Sequence, residues 1–162
     1  DSMLSLDLRG TWLESYSITP VQDLPDEVNA CVGAFGLTCG DPHPRLKLVS
    51  RVGWSTGPLT LRLQHRHLSA VTDDRIVIAR RRGTTGPSEA DLAAPVMGSR
   101  DYIDVSFSFD VPGQRMTLYG GVNNLFDLDP PIVGYSQQQA NTYPSTYDAL
   151  GAEFFIGAKI RF

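Results

Sequence analysis

Glu153-Phe154-Phe155-Ile156-Gly157-Ala158-Lys159-Ile160-Arg161-Phe162 closes the chain with an alternation of period two. Phe154, Ile156, Ala158, Ile160 and Phe162 fall on one face, and Glu153, Gly157, Lys159 and Arg161 on the other, with Phe155 the exception. Successive side chains of a strand point to opposite faces, so this pattern predicts a half-exposed β-strand. The same period recurs upstream. Ile103, Val105, Phe107, Phe109 and Val111 oppose Asp104, Ser106, Ser108 and Asp110, while Leu4, Leu6, Leu8 and Trp12 oppose Ser5, Asp7, Arg9 and Thr11. Leu46, Leu48, Val52 and Trp54 oppose Lys47 and Arg51, and Leu59, Leu61 and Leu63 oppose Thr60, Arg62 and Gln64. Met116 to Leu125 is less regular, with Met116, Leu118 and Val122 on one face. No segment of similar length carries a 3.6-residue stripe, so the expectation is an all-β chain, an antiparallel meander of about six long strands.

The connections sharpen that expectation. Ser55-Thr56-Gly57-Pro58 and Pro112-Gly113-Gln114 have the composition of tight hairpin turns. Three other connections, 17–44, 71–100 and 127–152, are long, and irregular loops beyond roughly 15 residues are unusual in a compact domain. Short turns thus gather at one end of the strands and long loops at the other, the arrangement of outer-membrane barrels. Strands of about ten residues also suit a tilted crossing of a bilayer. The rival is a β-sandwich, in which the same alternation points its apolar face inward.

Composition narrows the classes further. Across 162 residues, 14 basic side chains face 18 acidic ones for a net charge of −4, which argues against a nucleic-acid surface. No run approaches the roughly 18 apolar residues of a membrane helix, which excludes a helical membrane protein and leaves a membrane barrel open. Asp1 stands directly before a strand-like segment with no basic and apolar leader, so no signal peptide is expected. Either a mature terminus begins there or the chain is a piece of something longer.

Gly121-Val122-Asn123-Asn124-Leu125-Phe126-Asp127 is followed by Pro130-Pro131, then by Asn141-Thr142-Tyr143-Pro144-Ser145-Thr146-Tyr147-Asp148 with Leu150-Gly151, and by the alternating strand ending on Phe162. This ordered set closely resembles the C-terminal end of TonB-dependent outer-membrane receptors. Cys31-Val32-Gly33-Ala34-Phe35-Gly36 with Cys39-Gly40, ahead of a strand bearing Arg51 and Trp54, is similar to the family's late barrel strands. Ala152 departs from the Arg that many members carry after the Gly. The resemblance implies that residues 1–162 are the C-terminal part of a receptor barrel, about twenty-two strands when complete, without its plug domain and TonB box. It further implies a location in the Gram-negative outer membrane. The implied partners are outer-membrane lipid, the rest of the barrel and its plug, TonB, and the barrel-assembly machinery, which would read Phe162 and Ile160 as an assembly signal. An open piece of such a sheet leaves two unpaired edges and is expected to aggregate or to pair with other chains.

Individual side chains carry smaller expectations. Cys31 and Cys39 lie in one predicted surface loop, where a disulfide is favoured over free thiols; a two-thiolate metal site lacks further ligands at suitable spacing. His65 and His67 share a strand face without an evident third ligand, and His43 between two prolines reads as loop. Arg80-Arg81-Arg82 after Ile76-Val77-Ile78 reads as a solvated strand extension, with binding of phosphate or another anion as the alternative. Arg62, Arg66, Lys159 and Arg161 are expected to line the lumen with Asp104 and Asp110, as a hydrated wall rather than a ligand site. No nucleophile elbow, zinc-protease helix, phosphate loop or paired carboxylates can be found, so no catalysis, metal or cofactor is expected. The function expected is energised uptake of a scarce solute such as a siderophore, cobalamin or oligosaccharide. The alternatives are a passive outer-membrane pore and a soluble β-sandwich carbohydrate-binding module.

Overall fold

Period-two alternation and two tight turns generate the main sheet. In the computed structural model, which describes residues 2–134 and 141–162, six long strands lie side by side in chain order. They are β1 (Ser2–Trp12), β5 (Leu46–Thr56), β6 (Leu59–Leu68), β9 (Arg100–Asp110), β10 (Met116–Asn123) and β11 (Glu153–Ile160). All neighbours are antiparallel. Gly57, at φ +52°, supplies the positive φ that the two-residue turn between β5 and β6 requires, and Gly113, at φ +76°, does so between β9 and β10.

The register sorts the side chains cleanly. Leu4 stands opposite Trp54, Trp54 opposite Leu61, Leu61 opposite Phe107, Phe107 opposite Gly120, and Gly120 opposite Ile156. The next row on that face runs Leu6, Val52, Leu63, Val105, Val122, Phe154. One residue out of step, the opposite face carries Asp7, Arg51, Gln64 and Asp104 in a row. The apolar face is open to solvent, with Leu6 at 75% and Ile156 at 86% of full exposure. Among the described residues no second sheet packs on it.

The core sits elsewhere, in a layer built from the long connections at one end of the sheet. Connection 13–45 contributes β2 (Ser17–Ile18), β3 (Asn29–Ala30) and β4 (Ala34–Phe35). Connection 69–99 contributes β7 (Val71–Asp73), α1 (Asp74–Arg82) and β8 (Val96–Met97). β4 pairs in parallel with β7, and β7 antiparallel with β8. Phe35, Val71, Met97, Val133, Tyr143 and Tyr147 bury one another in one cluster. The Cys31–Cys39 disulfide, with Sγ–Sγ 2.03 Å, packs with Ala34 and Val77 in a second. Asp74 ties this layer to the start of α1 by accepting the Thr38 and Cys39 N–H groups at 2.6 and 2.9 Å.

Two expectations are corrected here. The sheet is not a barrel wall closed on itself: β1 and β11 occupy opposite edges and do not pair, because six strands fall short of the eight that the smallest bacterial barrels use. Nor is the chain all-β. Ile76-Val77-Ile78-Ala79-Arg80-Arg81-Arg82, read as a strand and its extension, is helical. Asp73 caps α1 by accepting the Arg75 N–H, the three arginines fill its last turn, and Gly83 ends it at φ +65°. These terminal signals override the strand preference of three β-branched-rich positions. Residues 135–140 of the connection read as 127–152 lie outside the described residues. No described helix is long and apolar enough to cross a membrane.

Because the core lies in the connecting layer, truncating it there should cost far more than truncating its outer surface. Phe35→Ala, in a fully buried site, should lower unfolding free energy by about 3–5 kcal/mol, whereas Leu37→Ala, two residues on and exposed, should change it by less than about 0.5 kcal/mol. Urea titration of the two variants measures the difference, and equal midpoints would contradict this location of the core.

Candidate ligand-binding face

Polar side chains from β1, β5, β6 and β9 meet on the face opposite the apolar rows. Arg51 Nε donates to Gln64 Oε1 at 2.6 Å, and Gln64 Nε2 donates to Asp104 Oδ2 at 2.9 Å. Asp104 also accepts from Arg66 Nε at 3.0 Å and from the Asn124 N–H at 2.9 Å. Arg66 in turn forks onto Asp148, Nη1 to Oδ1 at 2.9 Å and Nη2 to Oδ2 at 2.6 Å. Its guanidinium lies 4.9 Å from the centre of the Tyr102 ring. A single line of hydrogen bonds therefore runs from β5 across β6 and β9 into the connecting layer.

The surroundings set the charge states along this line. Hydrogen bonding to Asp148 outweighs the opposing effect of burial and, with Asp104, raises Arg66 above the ordinary arginine value. Desolvation pushes the Asp104 carboxyl up, but the Asn124 N–H, Arg66 and Gln64 together override it and hold the group below the usual carboxylate range. Burial drives the Tyr147 hydroxyl up to about 12, so that ring remains neutral beside the ion pair.

Two hollows open along the line. One, of about 450 Å³, is lined by Asp7, Arg51, Arg62, Gln64, Ser106, Asn123 and Phe155 among others. The second, of about 440 Å³, shares Gln64, Asp104 and Asn123 and extends to Tyr147 and Asp148. Both volumes lie in the ordinary range for small-molecule sites. Two aromatic rings flank this face on β10 and β11. Phe155 lies across Gly121, where a β-carbon would come within 2.7 Å of its Cζ, and Tyr119 lies across Gly157, where a β-carbon would collide with the ring. The glycines leave the space into which the rings fold.

No family model, no curated protein and no solved structure matches this chain. The resemblance to TonB-dependent receptors is therefore corrected. Without a family match and with an open sheet, the expectations attached to it are withdrawn: energised or passive transport, an outer-membrane location, and outer-membrane lipid, barrel remainder, plug, TonB or assembly machinery as partners. An open sheet with two unpaired edges is not a structure that can by itself satisfy its backbone in hydrocarbon.

The residues singled out in the sequence fall into separate places. Arg62, Arg66 and Asp104 share the polar face, with Lys159 on β11 opposite Thr117 at its far side. Among the described residues the open sheet encloses no lumen for them to line. Arg161 lies beyond β11, its N–H donating to the Arg115 carbonyl at 2.8 Å. Ile160 ends β11, and Phe162 is fully exposed after it. His65 and His67, on the apolar side, both contact Asp101 Oδ1 at 2.8 Å, which holds the Asp101 carboxyl below its usual range. Among the described residues no group of three or more His, Cys, Asp and Glu side chains is arranged to hold a metal ion. His43 is built into the connecting layer, its ring 4.2 Å from that of Tyr16. Arg81 and Arg82 are bound to the Val32 carbonyl and to Asn29 and Glu27. Phe155 and Asp148 carried no functional reading in the sequence; only the break in alternation at Phe155 marked it.

The Arg66 fork should be visible in stability. Arg66→Met leaves Asp104 and Asp148 facing each other without a cation, and a loss of about 2–3 kcal/mol is expected, less than for a fully buried pair because the site is part-exposed. Since the folded Asp104 carboxyl lies below its unfolded value, it stabilises the fold above about pH 4, and that contribution disappears as pH falls through the folded value. Asp104→Asn should consequently flatten the acid limb of a stability–pH curve. An unchanged acid limb would show that Asp104 does not supply it.

Proposed function

We propose that this chain is a non-catalytic binding domain whose polar sheet face takes a polyhydroxylated solute, a carbohydrate in the first instance. The observation that carries the reading is the position of Phe155. It is an aromatic ring on the face where alternation calls for polar residues, and it lines the same 450 Å³ hollow as Arg62, Gln64, Ser106 and Asn123. Sugar rings present C–H groups on one face and hydroxyls around the edge. An aromatic ring with a negative π-face accepts the former, and planar amide and guanidinium groups pair with the latter.

The electrostatics favour recognition over chemistry. Asp104 is saturated by four donors, so it acts as a fixed support for Gln64 rather than as a proton carrier. Arg62, by contrast, makes no hydrogen bond or ion pair among the described residues, and its donors remain available to ligand oxygens. Gln64 is already aligned by Arg51 and Asp104, which lowers the ordering cost of binding.

Titration calorimetry against a panel of neutral and acidic oligosaccharides tests the reading. A member of the panel should bind, Phe155→Ala should weaken it about tenfold to a hundredfold, and Arg62→Gln should weaken it about tenfold, both without loss of fold. The absence of binding across the panel, or binding indifferent to both substitutions, would overturn it.

A further inference from the structure

We infer that the apolar face of the six-stranded sheet is the contact surface for a second copy of this chain, the two sheets stacking face to face. The three cross-strand rows nearest the hairpin turns carry no charged side chain on this side. They hold Leu4, Leu6, Trp54, Leu63, Phe154 and Ile156, between 41% and 86% exposed. Taking about 200 Å² for a large apolar residue in full exposure, the exposed large apolar side chains of these rows offer on the order of 1,100 Å². The largest apolar patch on an ordinary monomer is about 300–600 Å², and a standard interface buries about 800 Å² per partner. The area is thus ample for a stable dimer.

The second copy is the occupant that these features select. A sheet with one apolar face becomes stable when a second layer covers it, and two such sheets pack about 10 Å apart with their side chains interdigitated. Nothing in the described part of this chain supplies that layer, because its connecting segments gather at one end of the sheet. A partner bearing charge on its contact surface would have to desolvate it against rows that offer no counter-charge. The same rows on a second molecule need no such compensation. The face also carries both halves of a self-complementary contact: the exposed Leu4, Leu6 and Trp54 at one side, and a hollow of about 460 Å³ lined by Leu61, Phe107, Val122, Phe154 and Ile156 at the other. Stacked in this way, the pair keeps both polar faces outward.

Sedimentation velocity and light scattering on the full 162-residue chain, without detergent and over a wide concentration range, test the inference. The expected species has twice the 17.7 kDa chain mass. Leu63→Lys, at the centre of the face, should raise the dissociation constant about a hundredfold. Leu6→Lys, on the exposed edge strand where a charge is easily accommodated, should act in the same direction. Thr60→Lys, on β6 but on the polar side, should leave the mass unchanged. Near-ultraviolet circular dichroism of the buried Tyr102 and Tyr147 reports that each variant is folded. A monomer at all concentrations would overturn the inference, as would a chain dispersed only as single copies in detergent micelles. Equal dissociation by Thr60→Lys, or open-ended aggregation unaffected by the Leu6 and Leu63 substitutions, would point to edge pairing and overturn it as well.

Discussion

Arg66 is the pin between the two halves of this structure. Its guanidinium is shared between a carboxylate on the sheet, Asp104, and one in the connecting layer, Asp148, 82 positions away in the chain. The layer's core cluster also packs against Leu68 at the end of β6, while the sheet itself rests on its ladders of backbone hydrogen bonds. A planar five-donor group is suited to this position because it can serve two carboxylates at once in fixed directions. Lysine in its place would hold one of them and leave the other carboxylate without its fork.

Anchoring the layer at one end has a cost and a benefit. The benefit is a polar face held in register: Gln64 and Asp104 are positioned through the same hydrogen bonds that dock the layer. The cost is that the buried aromatic and aliphatic residues are spent on the connections, leaving the long strands with an apolar side that no part of the described chain shields. A sheet and its core are normally the same object; here they are adjacent ones. The binding reading and the paired-copy reading each address one side of that sheet, since successive residues of a strand point to opposite faces.

Strand positions were legible in the sequence because period two is a local property, and so was the parity that sets Arg62, Arg66 and Asp104 on one side. Closure was not. Whether β1 meets β11 depends on strand number and edge geometry, which hydrophobic alternation does not encode, and a resemblance in short motifs supplied a circumference that this chain does not have. The helix at 74–82 was misread because Ile76, Val77 and Ile78 favour strands, although Asp73, the arginine-filled last turn and Gly83 were terminal signals in plain view. Asp148 was invisible for a different reason: no local pattern predicts which carboxylate will meet a distant guanidinium. Phe155 was legible only as an irregularity in the alternation around it.

The parallel pairing of β4 with β7 has a consequence for how the chain acquires its shape. The β5–β6 and β9–β10 hairpins close over two and a few residues, so their ladders can form on the microsecond scale of isolated hairpins. Joining Ala34 to Thr72 and Phe35 to Asp73 instead requires the chain to bring together segments separated by the whole β5–β6 hairpin, and burying Phe35 against Tyr143 requires a still longer closure. The order of events follows: bare hairpins first, then the sheet, and last the knot of connections that contains most of the buried side chains. During that interval the apolar rows are exposed and both edges are unpaired, so the yield of native chain depends on a race between a slow intramolecular closure and a concentration-dependent encounter with neighbours.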